Sequence, residues 1–358
     1  MSVQGNAASA DMLPACYPQA RRIVVTTPPA APLQQADIKE LIALHAGRDR
    51  VPSHFNIITD TSDFFKIEYN DVVLLGNEPY WMKRCEKEGR FGLDDEPKFW
   101  VRRAIELTTG ATRILKLVFF EEFQTMIAGV KMTCFRSPKK EARLLDLVAE
   151  HKNFMHGRWI LDAAGNNVRI LEFIRGPRFD DVVAGYGSNH HDYFHNYFLK
   201  VLDHFIELVE SVKFLHDQGE KHGDIRRDHI IWDEERQVNR WIDFDYNFQQ
   251  GESLFSFDMQ GLGNILIFLA GRGDVLVPDL YHKQRALFDT LWGEDLSIAY
   301  KNRVANLQKI YPYIPDSLNR ILLHFSQGTN YFYENTDQML EDLNLARTDI
   351  VALTGRQS

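Results

Sequence analysis

Apolar residues change their spacing near the middle of the chain. Up to about residue 175 they come in short runs separated by turn residues, the pattern of β-strands. Runs at 64–69 and 72–75 read as strands, as do 99–107 and its return 113–119, joined by Thr108-Thr109-Gly110. Two more are expected at 158–161 and 168–174. Among them, 139–151 has helical spacing, with Leu144, Leu145 and Val148 on one side and Pro138 suited to the first turn. A short helix over 38–46, capped by Asp37, precedes the strands. The pattern predicts an antiparallel group of about five strands plus one helix.

Beyond Ile174-Arg175-Gly176-Pro177, which reads as a hinge, the period becomes helical. A long helix is predicted from about 193 to 218, with Phe198, Val201, Leu202, Phe205, Leu208, Val209, Val212 and Leu215 on its buried side and Gly219 at its end. Residues 258–269 form a strongly apolar helix, and helices separated by Pro278, Pro312, Pro315 and Gly328 continue to about 346. The expected class is α+β, with a sheet-rich unit over 36–175 and a helical unit over 176–350. Residues 1–35 are rich in Ala, Pro and small polar residues and read as a disordered tail, with a partner-binding arm as the other reading.

Composition narrows the function classes. A chain of 358 residues with 44% hydrophobic content can form one large domain or two lobes around a cleft. The net charge of -9 argues against a sequence-independent nucleic-acid binder. Cys16, Cys85 and Cys134 are widely spaced and odd in number, which suits a reducing compartment better than a disulfide framework. No secretory signal is visible, and the longest apolar run, near 265–270, is too short to span a bilayer. A soluble cytoplasmic protein without nucleic-acid or membrane partners is expected.

The chemistry concentrates between His222 and Tyr246. Ile230-Ile231-Trp232 and Val238-Asn239-Arg240-Trp241-Ile242 flank a charged turn about Glu235, the pattern of a β-hairpin. Folding it places His229 beside Asp243, next to the loop that carries Asp224. Two carboxylates and an imidazole then converge, as a general base and a metal site require. Lys116, within an apolar strand, either finds a partner or faces solvent.

These residues resemble the protein-kinase-like superfamily over roughly 64–345. His222-Gly223-Asp224 is similar to its catalytic-loop His-x-Asp, and Asp243-Phe244-Asp245 to its metal-binding Asp-Phe-Gly with Asp in place of Gly. Ile114-Leu115-Lys116 resembles the Val-Ala-Ile-Lys strand, with Glu141 as the ion-pair partner on the small-lobe helix. Leu171-Glu172-Phe173-Ile174 is similar to the hinge that meets an adenine, and Phe214-Leu215-His216 and Asp258 with Gly263 also find counterparts. The Gly after His222 and the Ile-Asp-Phe-Asp-Tyr stretch resemble the small-molecule and aminoglycoside phosphotransferase branch.

The resemblance implies a two-lobed fold, a small antiparallel N-lobe sheet plus a helical C-lobe, and an ATP- and Mg²⁺-dependent transfer of the γ-phosphate to an acceptor hydroxyl. It implies that Asp224 is the base and that Arg226 faces the transferred phosphate. Lys116, Glu141, Glu172, Ile174, Gly89 and Gly92 would hold the nucleotide, and Asp243 with His229 the metal. The acceptor, protein or small molecule, stays open. Three departures leave a catalytically weak or inactive nucleotide- or partner-binding pseudokinase as the alternative. His229 stands where the family has a metal-binding Asn, so it is either a ligand or a buried histidine bonded to backbone. Gly89-Arg90-Phe91-Gly92 is less than a full phosphate loop, and the stretch from Asp243 to Asp258 has no room for an activation segment. Three other fragments carry no functional expectation. Gly261-Leu262-Gly263 lies on an apolar helix, Arg272-Gly273-Asp274 ends one, and His190, His191 and His195 read as solvated.

Overall fold

The computed structural model describes residues 33–88, 96–127, 130–249 and 255–355. Gly89, Gly92 and nearly all of the expected 1–35 tail lie outside them. The chain is α+β, with its strands gathered early and its helices late.

Helix α1 (Gln35–Ala46) leads into β1 (Ile57–Ile58), β2 (Val72–Leu75), β3 (Glu78–Glu88), β4 (Glu96–Glu106) and β5 (Thr112–Lys116). A hairpin, β6 (Glu122–Ile127) and β7 (Val130–Arg136), precedes α2 (Pro138–Leu147). Strands β8 (Gly157–Leu161) and β9 (Asn167–Glu172) complete a seven-stranded sheet of order β1-β2-β3-β4-β5-β9-β8. The β1–β2 pair is parallel and the other pairs of this sheet are antiparallel. Val73, Tyr80, Leu115, Val168 and Ile170 form its buried face.

The second half opens with α3 (Phe179–Ala184), α4 (His190–Asn196) and α5 (Phe198–Asp217). The hairpin β10 (Ile230–Asp233) and β11 (Val238–Trp241) follows, then β12 (Tyr246–Gln249) and α6 (Ser256–Gly271). Helices α7 (Val277–Lys283), α8 (Arg285–Phe288), α9 (Asp316–Leu323) and α10 (Thr336–Thr354) finish the fold. The apolar side of α5 packs on α6, α10 and β11, around Leu208, Val212, Trp241 and Leu262. α6 is apolar on nearly every side because it is buried on nearly every side. No helix among the described residues is long and apolar enough to cross a membrane.

Several expectations need correction. Residues 64–69 do not form a strand; Phe64–Lys66 is a 3₁₀ turn, and the Phe64 ring packs edge-on against Trp100 and Phe119. The single helix expected from 193 to 218 is broken at Tyr197, and its first part begins earlier, at His190, where the Asn189 side chain accepts from Asp192 N–H. The sheet has seven strands rather than about five, and a second, three-stranded sheet of order β12-β7-β6 was not anticipated. Within that second sheet, β12 joins the segment after Asp243 to β7, the strand that leads into α2.

Candidate functional site

The expected hairpin forms, with Ile230 opposite Trp241 and Asp233 opposite Val238. Ile242 N–H donates to the His229 carbonyl (2.9 Å), so His229 and Asp243 sit at the open end. Asp243 has a φ of 65°, a left-handed conformation that a non-glycine residue holds only when its surroundings enforce it.

Lys116 is fixed from the sheet. It ends β5, directly opposite Arg169 on β9. Two like charges facing each other across strands repel. Glu141, from the first turn of α2, resolves this. Its Oε1 accepts from Lys116 Nζ (2.9 Å) and its Oε2 from Arg169 Nε (3.0 Å). Lys116 is 2% exposed and Glu141 0%, so the solvent-facing reading of Lys116 is overturned. The Lys116 ammonium also contacts Asp243 Oδ1 and lies 3.1 Å from Asp245 Oδ2. Arg136 at the end of β7 grips both oxygens of Asp245 (3.0 Å each).

Asp224 sits on the other side of His229. The His229 Nδ1 lies 2.9 Å from the Asp224 carbonyl oxygen and 3.5 Å from Asp224 Oδ2. A carbonyl only accepts, so Nδ1 carries a proton. Nε2 faces Asp243 Oδ2 at 3.7 Å. The imidazole therefore stands between the two carboxylates and separates them.

Asp258 on α6 holds the loop before Asp224. Its Oδ2 accepts from His222 N–H (2.7 Å) and its Oδ1 from Gly223 N–H (2.8 Å), with His216 Nε2 at 3.1 Å. Gly223 has a φ of 84°, and a Cβ there would lie 2.2 Å from the Tyr246 carbonyl oxygen and 2.9 Å from Lys140 Nζ. No other residue fits. Lys140, the neighbour of Glu141, is fully buried and donates to the carbonyls of His222 (2.6 Å), Phe244 (3.1 Å) and Tyr246 (2.6 Å).

The surroundings set the protonation states. Burial alone would push Asp243 up, but Lys116, then Lys98 and His229, hold it well below the usual carboxylate range. Asp245 is held down by Lys116 and Arg136 against the same burial. Asp224 goes the other way, since burial raises it further than His229 and Arg226 lower it. Burial pushes His222 down to about 3, so it is a neutral ring packed against Trp241 and Phe244.

Asp224 and Arg226 line a cavity of about 940 Å³ whose described lining does not include Lys116, Glu141 or Asp243. Arg226 donates through Nε to Asp228 Oδ1 (3.0 Å). Arg227 binds Asp274 (2.8 Å) on the same wall. The hinge residues are placed differently. Glu172 ends β9, with its N–H donating to the His156 carbonyl (3.0 Å) and its carboxylate ion-paired with buried Arg240 and with Arg236 (3.2 Å). The side chain and amide of Glu172 are thus committed to the protein, and the Ile174 side chain is buried in the helical core.

Sequence reasoning missed Lys98, Arg136, Lys140 and Arg169. A charged residue inside an otherwise apolar strand was the available signal for Arg169, as it was for Lys116. The discounted fragments hold structural roles. Gly263 lies against Phe325, where a Cβ would come within 2.2 Å of the ring. His190 is not solvated as expected. It stacks on Tyr311 at 3.4 Å, with Tyr313 Oη (2.7 Å) and the Ala270 carbonyl (2.8 Å) on its nitrogens.

Mg²⁺ asks for oxygen ligands and is commonly held by one or two carboxylates, substrate phosphates and water rather than by a protein-only cage. Among the described residues, no group of three or more His, Cys, Asp and Glu side chains is arranged to hold a metal ion. Asp243 is a carboxylate of the type such a sparse site uses, but Lys116 and Lys98 engage its two oxygens here, and the His229 nitrogen does not suit Mg²⁺. A scan of protein-family models finds no match to this chain, and neither does a search of curated proteins.

Proposed function

We propose that the chain is a phosphotransferase of two-lobed, protein-kinase-like architecture, using ATP and Mg²⁺ to phosphorylate an acceptor hydroxyl. One observation carries this reading. Lys116 meets Glu141 and Asp243, 25 and 127 residues away, in one buried cluster beside a separate carboxylate, Asp224, that opens on a cavity.

In this reading Lys116, aimed by Glu141, holds nucleotide phosphates. Asp243 would be the carboxylate that holds Mg²⁺, which supplies neutralising charge on the phosphate oxygens. Asp224 orients the acceptor hydroxyl and takes its proton. Its raised pKa brings it nearer to working pH, as suits a base. The cavity at Asp224 has the volume of a small-molecule site, which favours a small acceptor over a peptide. Arg226 lies on that wall and would offset charge on the transferred group.

Incubation with γ-labelled ATP and Mg²⁺ tests the reading. Label should leave ATP for an acceptor or water, and Asp224→Asn should slow this by roughly 10²–10⁴-fold while nucleotide still binds. Equal rates in the two proteins would sink the role of Asp224. One observation favours a second reading, a nucleotide- or partner-binding module with little catalysis: Asp243 is already engaged by Lys116, Lys98 and His229. Nucleotide binding that ignores Mg²⁺, without label transfer, supports that module.

A further inference from the structure

Lys98 on β4 was not among the expected site residues, yet its Nζ lies 3.2 Å from Asp243 Oδ2. Lys116 holds the other oxygen of the same carboxylate. The two lysines come from neighbouring strands. Val101 pairs with Lys116, so regular alternation along β4 would turn Lys98, three positions away, to the opposite face of the sheet. The strand is not regular. Between the pairs Cys85–Arg102 and Glu86–Lys98, one step along β3 spans four along β4. Such a bulge redirects side chains, and here it brings Lys98 round to the carboxylate that Lys116 holds. Its side chain is only 11% exposed.

We infer that Lys98 is a second phosphate-binding ammonium, so that the site takes a nucleoside di- or triphosphate between two lysines. The inference rests on the proposed phosphotransferase reading. Asp243 carries a single charge and faces two ammonium groups, whereas a polyphosphate presents adjacent anionic oxygens that can engage both. A nucleotide held this way draws Lys98 and Lys116 off Asp243 and leaves that carboxylate open.

Binding of adenosine and of ADP, measured without Mg²⁺ by calorimetry on the full chain, tests this. Lys98→Met should weaken ADP by about tenfold or more, the effect of one lost charge-assisted hydrogen bond, and leave adenosine unchanged. Lys98→Arg should restore at least part of the ADP affinity. A Lys98→Met protein that melts earlier but keeps the wild-type ratio of ADP to adenosine affinity would show a structural lysine and overturn the inference. Should Lys98→Met not fold, an unchanged ratio in Lys98→Gln overturns it equally. If wild-type protein binds neither ligand, the functional reading itself fails, and that result is distinct from failure of Lys98 alone.

Discussion

At the scale of single residues, the site depends on carboxylates that each satisfy several groups. Glu141 separates Lys116 from Arg169, and all three are buried. Removing it leaves buried Arg169 without its carboxylate partner, face to face with Lys116, which keeps Asp243 and Asp245. Glu141→Ala should cost about 3–5 kcal/mol in urea unfolding, and a cost below about 1 kcal/mol, the level of an exposed ion pair, would contradict the network. Asp258 braces the loop through two backbone N–H groups and His216. Burial would raise its pKa, but the His216 hydrogen bond and charge hold it down. A depressed carboxylate contributes its full stability above the ordinary value near 4 and loses it as pH falls lower. Asp258→Ala should therefore cost about 3 kcal/mol at pH 7 and less as pH falls below about 4, by up to about 1 kcal/mol at pH 3, read by the same unfolding experiment.

Elements turn these contacts into one unit. α2 carries Glu141 toward the sheet and Lys140 toward three carbonyls of the segments bearing Asp224 and Asp243. Burial lowers the Lys140 pKa from 10.5 to about 8, against raising contributions from Asp258, Asp245 and Glu220, with Lys221 also lowering it. Between those two values the unfolded chain binds more protons at this position than the folded protein. The position's contribution to stability therefore rises with pH there. The unfolding free energy of wild type relative to Lys140→Met should climb by roughly 1 kcal/mol per pH unit between pH 8 and 10. A flat or falling difference would contradict a lysine whose charged form is disfavoured by burial. Glu141 was legible through the resemblance of Ile114-Leu115-Lys116, which implies a carboxylate partner on the following helix. Lys140 was not, since its partners are backbone carbonyls 82 to 106 residues away, which carry no side-chain signature. Lys98 stayed hidden for a related reason, because a bulge and not strand period aims it.

Across the whole molecule, the early strands and late helices were legible from hydrophobic period, and so was the hairpin that places His229 beside Asp243. The β12-β7-β6 sheet was not, because its third strand returns only after the Asp243–Asp245 segment, some 110 residues beyond its partner. That sheet, α2 and α6 together clamp the segment from His222 to Tyr246 against the strand that bears Lys116. On the proposed reading, this clamp builds a polyphosphate site at Asp243. Thermal melting of wild type and Asp243→Asn, each with ATP plus Mg²⁺ or ATP plus EDTA, decides whether it does. Wild type should be stabilised by ATP and further by Mg²⁺, by about 2.7 kcal/mol at a hundredfold excess over Kd, and Asp243→Asn should lose the Mg²⁺ increment. No response of wild type to ATP in either buffer, or an undiminished Mg²⁺ increment in Asp243→Asn, would contradict a polyphosphate site there.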